Sequence, residues 1–187
     1  MQAELAQREA DGGDAKAVKR SLHQIARSSQ QAAHMVNQLL AMARAEDANE
    51  ARRVTPFNLS AVAVEVVRDF VPRALAKGLD LGYEGPGANE ANAPRIVGEA
   101  VLVRELIRNL VDNAVQYTPG GGTVTVRLLP DPYGQVAVLQ VEDNGPGIPE
   151  SERELVFQPF YRALGTEVDG SGLGLAIVRE IAERHGG

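Results

Sequence analysis

The chain contains no cysteine. That excludes disulfides, thiolate zinc sites and a cysteine nucleophile, and it suits a reducing compartment. Tryptophan is also absent, and aromatic residues make up only 4% of the 187 positions. No apolar run approaches the ~18 residues of a membrane span. The polar start, MQAELAQREADGG, lacks the features of a signal peptide. A clustered positive face is missing too: 25 acidic side chains outnumber 19 basic ones, for a net charge of −6. Phosphate-backbone binding needs clustered cations, so no nucleic-acid partner is expected. What remains is an ordinary soluble composition, 44% apolar and 24% charged, long enough for one or two small domains.

The N-terminal part reads as helix. Residues 1–9 resemble the end of one helix, and ADGGD (10–14) breaks it. A long helix over 15–46 follows. Its inward positions, Val18, Leu22, Ile25, Ser29, Ala32, Val36, Leu39 and Ala43, alternate steps of four and three, the seam of a helical bundle. A helical hairpin in a dimer is the expected setting for 1–47, with an amphipathic helix lying on another core as the alternative. A charged linker without periodicity, 48–54, separates it from a second unit, 55–187. In that unit helices are expected over 59–77, 99–117 and 172–185. Strands are expected at 78–85, RIVG, 123–129 and 135–143, and a short helix after the glycine-rich turn. Strand pairs with helices grouped apart imply an α+β, two-layer α/β sandwich rather than a doubly wound sheet.

Four clusters in the second unit carry chemistry. The first, RNLVDNAVQYT (108–118), places Asn109 and Asn113 one helical turn apart, with Gln116 and Tyr117 beside them. Leu102, Leu106, Leu110 and Ala114 fall on or beside the same face. A buried amide without hydrogen-bond partners is costly. Such a pair is either a satisfied structural network or a neutral oxygen site of the kind Mg2+ accepts. The second cluster, EDNGPGIPE (142–150), ends a strand at Asp143 and sets Gly145 and Gly147 behind it, so that a ligand can approach the backbone closely. A plain turn has the same composition. The third, VFQPFYR (156–162), packs Phe157, Phe160 and Tyr161 into five residues, an apolar anchor for the loop that follows. Arg162 begins that loop, where a cation can meet phosphate. The fourth, DGSGLGLAIV (169–178), opens a helix with Gly170, Gly172 and Gly174, and helix N-termini favour anions. It is neither a P-loop nor a dinucleotide fingerprint, since no Lys-Ser/Thr follows and no strand precedes.

Each cluster is weak alone, but in this order and spacing they resemble the N box, first glycine box, F box and second glycine box of sensor histidine kinase catalytic domains. That is the Bergerat fold of the GHKL ATPases. The resemblance covers 55–187. LHQIARSSQQAAHMVNQLLAMARAED (22–47) is similar to the second helix of the family's dimerisation and phosphotransfer hairpin. The resemblance implies a bacterial two-component kinase with ATP and Mg2+ as cofactors. It also implies a homodimer through the hairpin, a response-regulator receiver domain as partner, and a membrane-anchored parent whose catalytic portion is cytoplasmic. Asn113 with Asn109 is then expected at the metal, and Asp143 at the adenine amine, with Gly145, Gly147 and Ile148 along the base. Gln116 and Tyr117 are expected near the phosphates or ribose. Residues 161–171 are expected to form a lid containing Tyr161, Arg162, Gly170 and Ser171. Gly172, Leu173 and Gly174 would present N–H groups to phosphate.

Two departures from the family pattern stand out. A cation usual three residues after the second asparagine is replaced by Gln116. None of His23, His34 and His185 lies in an H box, so the phosphate acceptor is expected upstream of Met1, and the chain by itself is not expected to autophosphorylate. The end of the chain, EIAERHGG, resembles the point where the family continues into further strands. Two other readings are another GHKL ATPase and a non-catalytic nucleotide-sensing dimerisation module. Hydrolytic relatives carry a glutamate base where Asn109 stands, which argues against the first. Glu105, one turn earlier on the asparagine face, is expected on the solvent side, with an acid/base role as the alternative.

Overall fold

The computed structural model describes residues 54–130, 136–162 and 171–187. The expected hairpin, most of the linker, the turn through PDPYG, Gly170 and residues 163–169 of the lid lie outside the described residues. The elements in order are β1 (Thr55–Asn58), α1 (Leu59–Lys77), β2 (Asp80–Glu84), β3 (Arg95–Gly98), α2 (Ala100–Tyr117), β4 (Thr123–Pro130), β5 (Ala137–Asp143) and α3 (Gly174–Arg184). No helix among the described residues is long and apolar enough to cross a membrane.

The start of α1 is fixed locally. Asn58 accepts the Ala61 amide on Oδ1 at 3.0 Å, and its Nδ2 donates to the Ala88 carbonyl at 2.7 Å. The helix ends on Gly78, whose φ of +69° lets its N–H turn back to the last carbonyls. The apolar positions Ala63, Val66, Val67, Phe70 and Ala74 recur at helical spacing and are buried. They pack with Val103, Ile107, Val111 and Val115 of α2 and Val126 and Leu128 of β4.

The strands pair differently from their order in sequence. β2 and β3 are not partners: β2 runs parallel to β4, and β3 pairs antiparallel with β1. The main sheet has the order β2-β4-β5, with β4 and β5 antiparallel. Val124, Val126 and Leu128 of β4 are buried, while Arg127 points to the other face. There it donates to Glu84 of β2 at 2.6 Å and pairs with Glu142 of β5, one rung across all three strands. The Glu84 hydrogen bond, with the charge of Glu142, raises the already high pKa of Arg127. Helices cover one face of this sheet, the two-layer α+β sandwich expected from sequence.

Helix α2 has two apolar faces, which decides where its asparagines go. Val103, Ile107, Val111 and Val115 face the sheet and α1. Leu102 and Leu106 face α3, where they meet Leu173, Ile177 and Ile181. Asn109 and Asn113 continue this second face. The short helix expected after the glycine turn is instead two single 3-10 turns, Glu150–Glu152 and Leu155–Phe157. Pro149 starts the first, and the segment buries no residue.

Candidate functional site

The site forms where α2, the turn after β5 and the start of α3 converge. Asn109 is buried, and its Nδ2 donates to the Glu105 carbonyl at 2.9 Å. That bond fixes the amide plane and directs Oδ1 at Gly174, the first residue of α3. A methyl group on Gly174 would lie 3.3 Å from Asn109 Oδ1 and 3.8 Å from both Nδ2 and Oδ1 of Asn113. Gly174 thus seats the beginning of α3 directly on the asparagine pair. The first N–H groups of a helix have no partner within it, and they carry the positive end of its dipole. Half-buried Asn113 therefore shares a small volume with an anion-seeking helix end. Glu105, expected on the solvent side, is half-buried and holds Asn109 through its main chain. Leu110 is half-buried and Tyr117 exposed, so the shared face divides into an apolar part under α3 and a polar part past its end.

The segment entering α3 is braced by main-chain geometry. Gly172 has φ +71°, and a Cβ there would sit 2.7 Å from the Phe160 carbonyl carbon. The Phe160 N–H donates to the Gly172 carbonyl at 2.9 Å. Ser171 Oγ accepts the Leu173 N–H at 3.2 Å, and buried Leu173 anchors the corner. The aromatic anchor differs from expectation. Phe160 is 64% exposed and has φ +65°, so its backbone rather than its ring ties down the segment. Phe157 is half-buried, with the Arg179 guanidinium 5.9 Å from its ring centroid. Tyr161 is half-buried and Arg162 exposed.

The glycine turn after β5 meets the end of α2. Asp143 Oδ1 accepts the Gly145 N–H at 2.9 Å, and Gly145 lies beside the Tyr117 carbonyl, 3.3 Å from an added Cβ. Gly147 has φ +72°, and Ile148 is exposed. Three residues absent from the sequence expectations organise this corner. Asn144 Oδ1 accepts the Thr123 N–H at 2.8 Å. Thr118, fully buried, donates its hydroxyl to the Ala114 carbonyl at 2.6 Å. Gly122 fits between the Thr118 and Asn144 side chains, where a Cβ has no room. Their signal, short polar residues and glycines flanking a helix end, is common to all turns.

Residues 98–187 match the family model described as histidine kinase-, DNA gyrase B-, and HSP90-like ATPase. A solved mycobacterial sensor histidine kinase, MprB, superposes with TM-score 0.57 at 31% identity, over 71% of this chain and 80% of that one. The chain belongs to the sensor histidine kinase family. Sensor protein kinase PmrB of Pseudomonas aeruginosa is 35% identical over 93% of the chain, and the chain spans only 35% of its length. Full-length ShkA, solved in complex with AMPPNP, matches 91% of this chain at 25% identity and TM-score 0.66, with 33% of ShkA covered. The sandwich is therefore that of a kinase core from two-component systems. An ATP-binding domain follows from the family.

Proposed function

We propose that this histidine kinase core binds Mg-ATP across the α2–α3 junction and passes the γ-phosphoryl group to a histidine outside the three this chain carries. The phosphate would then move to an aspartate of a response-regulator receiver domain. The carrying observation is the seat of Gly174 on Asn109 and Asn113, which brings a helix N-terminus and two amides to one point. The donor set suits the metal: Mg2+ takes neutral oxygen ligands, keeps several waters and shares phosphate oxygens. Asn113 would hold it, with Asn109 beside it. The bound ion would neutralise charge on the β- and γ-phosphates.

The chain's own residues do the rest. Gly174 presents its main-chain N–H to phosphate, and Leu173, whose N–H is held by Ser171 Oγ at 3.2 Å, would join it on exchanging that bond for a phosphate oxygen, with Gly172 and Ser171 shaping the approach. Asp143 accepts from the adenine amine with the oxygen not used by Gly145, and the base lies along Gly145, Gly147 and Ile148. Tyr117 and Gln116 border the sugar and phosphates, and Tyr161 and Arg162 open the lid. Little covalent chemistry falls to the protein in phosphoryl transfer, so positioning and charge stabilisation are its main tasks. ShkA's complex with AMPPNP supports the nucleotide reading. The heptad seam over 15–46 favours a homodimer.

Calorimetric titration with AMPPNP, with and without Mg2+, tests the site. Wild type is expected to bind with Mg2+ dependence that Asn113→Ala removes. A separate protein bearing an intact H box should then acquire acid-labile phosphate from ATP. Wild type that binds no nucleotide, or an Asn113→Ala chain with unchanged Mg2+ dependence, refutes this assignment.

A further inference from the structure

Helices α1 and α2 are joined along their solvent side by a ladder of polar contacts with a nearly constant sequence offset. Arg104 reaches Glu65 at 2.9 Å and Asp69 at 3.6 Å. Arg108 lies over the Phe70 ring, 5.8 Å from its centroid. Arg73 pairs with Asp112. Lys77 Nζ donates to the Val115 carbonyl at 2.8 Å and the Gln116 carbonyl at 2.6 Å. The helices therefore run side by side in the same direction, and Lys77 is the last rung.

That last rung differs from the others because it grips main chain. The last carbonyls of a helix have no partner within it, and its C-terminus carries negative partial charge. Helix α2 has no basic residue in its own last turn. Its end carbonyls are satisfied from elsewhere: Ala114 by the Thr118 N–H and hydroxyl, and Val115 and Gln116 by Lys77. Lys77 is available because Gly78 and Leu79 turn back to cap α1 with their own N–H groups. The same corner holds the chain after α2. The Gly121 N–H donates to the Gly78 carbonyl at 2.9 Å, and the Asp80 N–H donates to the Gly122 carbonyl at 2.9 Å.

We infer that Lys77, outside every glycine-rich or asparagine motif, is a positioning residue for the nucleotide site. Its ammonium fixes the last turn of α2 and so sets where Asn113, Gln116 and Tyr117 face the ligand. The inference rests on the proposed Mg-ATP site. It assigns Lys77 no contact with nucleotide.

The test is Mg2+–AMPPNP titration of the wild-type chain, K77M, K77Q and K77R, well below their thermal midpoints, with those midpoints measured alongside. K77M and K77Q are expected to bind roughly five- to tenfold more weakly, less than the full worth of a charged hydrogen bond because Lys77 acts on the ligand only through the position of the last turn. K77R, whose guanidinium can donate to both carbonyls, is expected within about threefold of wild type. A purely structural lysine would lower the midpoint and leave affinity at low temperature unchanged. Wild-type binding that K77M and K77Q match within twofold overturns this inference alone. Failure of wild type to bind overturns the nucleotide reading and this inference together.

Discussion

Gly174→Ala should separate the stability of this domain from its ligand binding. In the folded chain an added methyl lies 3.3 Å from Asn109 Oδ1 and in ordinary contact with Asn113. The first contact is tight by a few tenths of an ångström. Asn109 yields by loosening its bond to the Glu105 carbonyl, now 2.9 Å. Such a bond is worth about 0.5–1.5 kcal/mol net, and only part of it is lost. Against this, alanine at a helical position restricts the unfolded chain and contributes about 0.4–1 kcal/mol of stability. The two effects nearly cancel, so folding free energy should stay within about 1 kcal/mol of wild type.

Binding should not be spared. The methyl occupies the space between the asparagine pair and the first amides of α3, where the proposed Mg-ATP site puts the phosphates and metal. AMPPNP affinity should fall at least tenfold, about 1.4 kcal/mol. Gly172→Ala serves as the contrast. Its Cβ would meet Phe160 and Tyr161 backbone atoms at 2.7 and 2.8 Å from a φ of +71°, so stability and affinity should both fall. The assay is urea unfolding paired with calorimetry on both variants. A Gly174→Ala chain that binds within twofold of wild type would show that ligand does not occupy the α2–α3 junction.

Two further outcomes follow from the same geometry. Gln116→Lys restores a cation three residues after Asn113; a charged hydrogen bond of about 1.5–3 kcal/mol predicts at least tenfold tighter Mg2+–AMPPNP binding, and unchanged affinity in a titration refutes the role given to that position. His185→Ala removes the ring whose Nε2 accepts the Glu99 N–H at 3.1 Å and whose Nδ1 bonds the Ile181 carbonyl at 2.8 Å; urea unfolding should show a loss of about 1–2 kcal/mol, and a loss below about 0.5 kcal/mol would mean that this link is dispensable.

How much of this was legible depends on how local each cause is. Helix α1 was readable to the residue because Asn58 and Gly78, a cap and a left-handed stop, both act within one turn. Helix α2 was readable within a residue from its apolar spacing. Strand β1 was not, because four residues including a proline carry no usable alternation, and the strand exists through its pairing with β3. The parallel pairing of β2 with β4 was equally hidden, since it joins residues 43 apart, such as Asp80 and Thr123. For the aromatic anchor, composition was a misleading guide. VFQPFYR reads as rings seeking a core, yet Phe160 is held by a main-chain bond to Gly172, which leaves no trace in residue type.

The asparagine pair shows where a site stops being a sequence property. Spacing alone puts Asn109 and Asn113 on the face of Leu102 and Leu106. It does not say what covers that face. The answer comes from α3, whose Leu173, Ile177 and Ile181 sit at four-residue intervals and match the apolar half. The two helices run antiparallel, with His185 at Glu99 and Gly174 at Asn109. From Gly174 to His185 a helix rises about 16 Å, and from Glu99 to Asn109 about 15 Å, at about 1.5 Å per residue. The lengths agree, so a link at one end fixes the register at the other. His185 at Glu99, reinforced by Arg184 donating to the Glu99 carboxylate at 2.6 Å, determines that the free amides of α3 begin beside Asn113 rather than a turn away. The proposed site is thus held by a contact at the far end of the helix pair, in residues given no contact with nucleotide.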